Sequence, residues 1–188
     1  MKKLFILMLL CVISMSVSAQ EHLTFKGIPI DGTPKEFGSK LTANGFEYQY
    51  DYDGVLWYEG PFAGYNNCKV AVKSSNNLVY EVVVIFPTAY SWNALYSTYI
   101  SLKNMLTQKY GDPYNSKEEF INTPSYIDLD DDNDKFYEVG DGHCSYGAIF
   151  FTAQGTVALE IKQSKCVGIH YEDAHNIAVK ESAAIDDL

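Results

Sequence analysis

Arginine is absent from this chain: all 14 basic residues are lysines. Without guanidinium groups there is no planar fork to grip phosphate or carboxylate bidentately. The formal net charge of −10 makes the exclusion stronger, because so negative a surface repels nucleic-acid backbones and anionic lipid heads. Nucleic acid is therefore not an expected partner. A Cys-x-x-Cys pair is missing too, which argues against a redox centre. There is no Gly-x-Ser-x-Gly elbow to present a nucleophilic serine and no glycine loop to cradle phosphate. Long apolar runs are scarce. Only Leu4 to Ile13 is continuously uncharged and apolar, and nothing later approaches the roughly 20 residues that a bilayer requires.

That single run has the context of an export signal. Met1-Lys2-Lys3 supplies a positive start, the apolar stretch follows, and Ser14, Ser16, Ser18 and Ala19 are small. Val17 and Ala19 suit the positions before a cleavage site, so residues 1–19 are expected to be a signal peptide cut after Ala19. Cys11 follows Leu9 and Leu10 inside the apolar core, which does not suit lipid attachment. The mature chain is then expected in the periplasm or outside the cell, without a membrane span, and two charges more negative.

Nearly half the residues are hydrophobic (47%), enough for a sizeable core. Cleavage leaves Cys68, Cys144 and Cys166, an odd number in an oxidising compartment. Tyr146–Thr152 and Val157–Gln163 read as two strands joined at Ala153-Gln154-Gly155-Thr156. Pairing Ile149 with Ile161 and Phe151 with Leu159 puts those apolar residues on one face and sets Cys144 opposite Cys166. A structural Cys144–Cys166 disulfide is the candidate bond; three separate thiols are the alternative.

Along the chain, Glu21–Ile30 reads as a strand. Thr33 caps a helix from Pro34 to Ala43, with Glu36 completing a capping box. Phe46, Tyr48, Tyr50 and Tyr52 alternate along a strand that turns at Asp53-Gly54 and returns through Val55–Tyr58. Lys69–Lys73 and Leu78–Phe86 form a further hairpin, and Val82–Phe86 is apolar on both faces, as in a central strand. Ser91 caps the longest helix, Trp92 to Tyr110, whose apolar residues recur at helical spacing until Gly111 and Pro113. Asn115 to Lys135 reads as a polar stretch. Strands are expected at Phe136–Val139, Tyr146–Thr152, Val157–Gln163 and Cys166–Tyr171.

Leu78-Val79-Tyr80-Glu81-Val82 matches Val157-Ala158-Leu159-Glu160-Ile161, and a helix precedes each set of strands. Chance similarity of hairpins competes with duplication as the explanation, and the element order favours duplication. The expected fold is α+β: antiparallel sheets with helices on one face, in a tandem repeat of a helix and about four strands. Residues 20–89 form the first repeat, 90–172 the second, and 173–188 a flexible polar tail.

This layout resembles that of secreted β-lactamase inhibitor proteins and of small outer-membrane assembly lipoproteins. The opening His22-Leu23-Thr24-Phe25-Lys26-Gly27-Ile28-Pro29-Ile30-Asp31-Gly32-Thr33 resembles the start of uncharacterised secreted proteins from gut Bacteroidetes. The resemblance implies helices laid on an antiparallel sheet, but architecture alone carries little function. No inhibitory loop carries over residue by residue, and the lipid-attachment cysteine of the assembly lipoproteins is missing.

Three sets of side chains are candidates for chemistry or contact. Asp128, Asp130 and Asp132 alternate in an acidic run that could offer hard oxygens to calcium, but neither register supplies the glycine and glutamate of a calcium loop. Asp141, His143, Cys144 and His170 could gather around zinc. Tyr48, Tyr50, Tyr52, Trp57 and Tyr58 lie on one hairpin in a chain with 15 tyrosines and 2 tryptophans, and such residues suit a protein interface as well as ordinary sheet packing. No motif calls for a cofactor. The leading expectation is a non-catalytic binding protein, inhibitor-like, with a protein or peptide partner in the envelope. The alternatives are a hydrolase or metal-dependent enzyme and an envelope assembly factor.

Overall fold

The structure is a computed structural model that describes residues 22–186, so the expected signal peptide lies outside the described residues. A two-stranded hairpin, β1 (Thr24–Phe25) and β2 (Ile28–Pro29), leads to helix α1 (Pro34–Ala43). Thr33 and Glu36 form the reciprocal capping box that the sequence predicts. Four strands follow: β3 (Glu47–Tyr52), β4 (Val55–Phe62), β5 (Tyr65–Ser75) and β6 (Leu78–Ile85). Helix α2 (Trp92–Tyr110) opens a second set, β7 (Asn115–Phe120), β8 (Cys144–Thr152), β9 (Gly155–Lys162) and β10 (Cys166–Asp173). Helix α3 (Asp132–Asp141) lies between β7 and β8, and α4 (Ala174–Asp186) follows β10.

The eight long strands form one antiparallel sheet in the order β3-β4-β5-β6-β10-β9-β8-β7. Each unit therefore starts at an outer edge and ends at the centre, where β6 and β10 pair. This is the helix-plus-four-strands order expected twice over, with α3 inserted in the second copy. The local match that suggested duplication is out of step with it. Leu78–Val82 lies in the fourth strand of its unit and Val157–Ile161 in the third, so that likeness is one of hairpin strands in general.

One face of the sheet meets α1 and α2. Phe37 and Leu41 of α1, with no exposed surface, pack in a common core with Val70, Val72, Val82 and Val84. Burying each such side chain stabilises the fold by about 2 kcal/mol. Gly38 lets α1 lie directly on β4, since a methyl group there would collide with Tyr58 Oη. Trp92, Leu95, Tyr99, Leu102 and Leu106 form the buried stripe of α2, and Tyr146, Ala148 and Phe150 face it from β8. No helix among the described residues is long and apolar enough to cross a membrane.

Five local expectations are corrected, the first being Glu21–Ile30, which is not one strand but contains the β1–β2 hairpin turned at Lys26-Gly27. Phe136–Val139 is part of α3, not a strand, because Asp131 caps a helix there and Gly142 closes it in the left-handed region. The polar stretch from Asn115 to Lys135, to which no strand was assigned, contains β7, an edge strand whose exposed charged residues hide the usual alternation. The tail from residue 173 is helical to Asp186. Asp173 accepts from the Asn176 amide at 2.9 Å, and the fully buried Asn176 side chain donates to Ile30 O and Val79 O at 2.9 Å each.

The β8–β9 register is the fifth. Thr152 pairs with Gly155 across the two-residue turn Ala153-Gln154, and Ile149 faces Ala158, not Ile161. The shift is by an odd number of residues, so it sends Ile149 and Phe151 to the face opposite Leu159 and Ile161. It also removes the proposed disulfide. Cys144 pairs across to Phe120 on β7, while Cys166 lies on β10 opposite Lys162. Strand β9 separates the two, placing them roughly 10 Å apart across the sheet, beyond the roughly 7 Å Cα limit for a bridge. Cys68, Cys144 and Cys166 are all free.

Candidate functional site

The face of the sheet turned away from α1 and α2 carries a row of residues in continuous cross-strand register. From the β3 edge it runs Tyr50, Trp57, Ala71 and Val83. It continues through His170, Ala158, Ile149 and Asn115 to the β7 edge. Side chains along a strand alternate between faces, so each residue of this row shares the open face with the next. Ala71 and Val83 are short and buried, which makes the middle of the row low beside Trp57 and His170.

An aromatic pair stands at each end. Tyr50 stacks on Trp57 with ring centroids 5.9 Å apart, and Tyr114 meets Phe151 at 4.7 Å. Tyr50 is 50% exposed and Phe151 57%. The five aromatic residues singled out on the first hairpin do not act as one patch. A register shift between Tyr48 and Tyr50 splits them. Tyr48 stands against the buried Tyr58 on the helix side, at 5.6 Å, while Tyr50, Tyr52 and Trp57 share the open face. Alternation through Phe46, Tyr48, Tyr50 and Tyr52 hides that bulge. Phe151 was missed because the expected register set it on the same face as Leu159 and Ile161, and Tyr114 because it precedes β7, a strand that was not expected.

Between the pairs runs a chain of alternating charges that joins the two units. Lys73 Nζ donates to Glu81 at 2.8 Å, and Glu81 Oε1 lies 2.7 Å from His170 Nδ1. His170 Nε2 lies 3.1 Å from Glu160, which also pairs with Lys162. Two carboxylates therefore hold the imidazole as a cation. Hydrogen bonds to Glu160 and Glu81 raise the His170 pKa to about 9, against the opposing effect of burial. The Glu160 carboxyl falls to about 2, chiefly through its bond to His170. Burial opposes ionisation of Glu81, but bonds from His170 and Lys73 still hold its pKa below the ordinary value.

Over β7–β10 the open face sinks into a trough of about 460 Å³. Gly147, Ala158 and Ile149 form its low apolar floor, with Lys117, Glu160, His170 and Glu172 among its polar margins.

The other candidates lie elsewhere. Asp131 caps α3, and Asp128 accepts from the Asp130 amide while its own amide donates to Asp134; Asp132 pairs with Lys135 at 3.3 Å. Those carboxylates organise the start of the helix. His143 pairs with buried Glu138 at 2.7 Å, and so does not converge with His170, which is held by different carboxylates. Among the described residues no group of three or more His, Cys, Asp or Glu side chains is arranged to hold a metal ion. Burial pushes the Cys68 thiol up to about 11 and the Cys144 thiol up to about 12, so neither has thiolate character. Neither a family model, nor a curated protein, nor a solved structure matches the chain.

Proposed function

We propose that this chain is an exported, non-catalytic binding protein that takes a protein or peptide partner on its open sheet face, in the periplasm or outside the cell. The observation that carries the reading is the row from Tyr50–Trp57 to Ile149–Asn115, low in the middle and bounded by an exposed aromatic pair at each end. Rigid aromatic side chains supply contact area at little entropic cost. The alternating charges at the centre are mutually satisfied, so the floor keeps its shape without a partner. Both ring nitrogens of His170 are engaged by carboxylates, which leaves no free lone pair to act as a base and favours binding over hydrolysis. The layout is inhibitor-like, in the sense of the β-lactamase inhibitor proteins, in setting helices behind an open sheet.

The test is affinity capture of the mature chain from an extract of its own envelope, followed by mass spectrometry. Trp57→Ala and Phe151→Ser should each lower recovery of the partner at least about tenfold, the scale of a central aromatic contact. Met105→Ser, on the exposed side of α2, should leave recovery unchanged. Equal recovery with all three variants would sink the proposal.

A further inference from the structure

The large sheet ends in two strands that have a neighbour on one side only, β3 and β7. A free edge offers a row of unpaired backbone groups to another chain. The two edges differ. Strand β3 is interrupted by the register shift between Tyr48 and Tyr50 and carries Glu47 and Asp51 with no lysine, so bulge and like charge both oppose pairing. Strand β7 keeps six consecutive pairs with β8 and no shift. All its residues but Phe120 are exposed, and Lys117, Glu118 and Glu119 give it charges of both signs.

Which backbone groups of β7 are free follows from its ladder. The Ile121 amide donates to His143 O at 2.7 Å, so by alternation Glu119, Lys117 and Asn115 also turn their backbone groups to β8. Ser116, Glu118 and Phe120 turn theirs outward, and among the described residues none of the three joins a backbone–backbone hydrogen bond outside the sheet. A second β7 laid antiparallel on this edge must therefore set even-numbered residues against even-numbered ones. With Glu118 on the dyad, Ser116 meets Phe120 of the second copy, and Lys117 meets Glu119 twice. These last are non-hydrogen-bonded pairs, whose side chains stand closest. Lys117 and Glu119 already pair within the chain at 2.9 Å, so the four charges alternate in sign around the dyad. A dyad at Lys117 would oppose two lysines, and one at Glu119 two glutamates. The Glu118 carboxylates that meet at the dyad are answered within each copy, by Lys103 and the Tyr99 hydroxyl on the helix side.

We propose that β7 is a self-recognition edge, on which two copies of this chain pair antiparallel with Glu118 at the dyad and form one continuous sheet. The dyad stands perpendicular to the sheet, so both open faces look the same way, and the two troughs, each bordered by Asn115 and Lys117, lie side by side. The pairing holds whether or not the open face is the binding face.

Sedimentation equilibrium of the mature protein, from micromolar to millimolar concentration, should show a reversible monomer–dimer equilibrium. Lys117→Glu and Glu119→Lys each make both cross-strand pairs repulsive, and each should weaken self-association at least about tenfold. Mixed in equal amounts, these two variants should form a heterodimer at least about tenfold tighter than either homodimer, because every lysine at the edge then faces a glutamate. Amide exchange at Glu118 and Phe120 of the parent protein should slow as concentration rises, with exchange in β3 unaffected. A chain that stays monomeric at millimolar concentration would overturn the proposal. So would a dimer indifferent to Lys117→Glu, or a mixture that associates no better than its components. Neither substitution touches the aromatic pairs of the open face, so Trp57-dependent capture tests that reading separately.

Discussion

His170 Nδ1 lies 2.7 Å from Glu81 Oε1, and this contact ties the last strand of the second unit to the last strand of the first. Glu81 is almost fully buried, so its charge depends on His170 and Lys73. The relationship makes stability a function of pH in a definite direction. The folded His170 pKa of about 9 exceeds its ordinary 6.5, so the stabilisation it gives is complete below about 6.5 and is lost as the pH rises through about 9. The folded Glu160 pKa of about 2 lies below its ordinary 4.5, so that contribution is complete above about 4.5 and is lost as the pH falls through about 2. Urea unfolding across this range should show the cluster's contribution at its fullest between about 4.5 and 6.5. An imidazole titrating near 6.5 by NMR would contradict the predicted contacts. Replacing the ring, in His170→Ala, should cost about 2 kcal/mol by stripping Glu81 of a charged partner.

Asn176 fixes the C-terminal helix. Its amide donates to Ile30 O and Val79 O, which belong to the start of the chain and to the central sheet. Asn176→Ala would leave both carbonyls buried without that donor, at a cost of about 2–3 kcal/mol. Urea denaturation should register the loss, and amide exchange in α4 should accelerate more than in α2. Unchanged exchange in α4 would show that the helix is held by something else.

The cysteines offer a direct count. Mature protein unfolded in denaturant without reductant should titrate as Cys68, Cys144 and Cys166, all as thiols. In the folded protein Cys68 and Cys144 should react slowly at neutral pH, since burial holds their thiols protonated up to about 11 and about 12. A Cys144–Cys166 peptide in a non-reducing digest would require a different strand register.

Local sequence signals reported local structure well. Thr33 with Glu36, Ser91 before α2, and Asp53-Gly54 between β3 and β4 each do in the structure what their chemistry dictates. What the sequence could not show depends on pairing between distant strands. Glu81, Glu160 and His170 are scattered over three strands, and only the β6–β10 and β9–β10 registers bring them together. The register of β8 on β9 hung on whether the turn held two residues or four. Apolar pairing favoured four, and the two-residue turn closed by Thr152 and Gly155 prevails. At Gly155 a side chain would collide with Glu172 O, so the glycine permits a close approach that no periodicity encodes. Helix α3 was obscured because a short apolar run such as Phe136–Val139 fits either period, and Asp131 and Gly142 were the clues that distinguish them.

Hydroxyl-radical footprinting of the mature chain, free and bound to its captured partner, bears most directly on binding through the open face. Binding there predicts that oxidation of Tyr50, Trp57, Tyr114 and Phe151 falls together when the partner is bound, while Met105 on α2 and Tyr137 on α3 remain as reactive as in the free protein. Protection of Met105 and Tyr137 with the sheet aromatics unchanged would place the partner on the helix layer and contradict it.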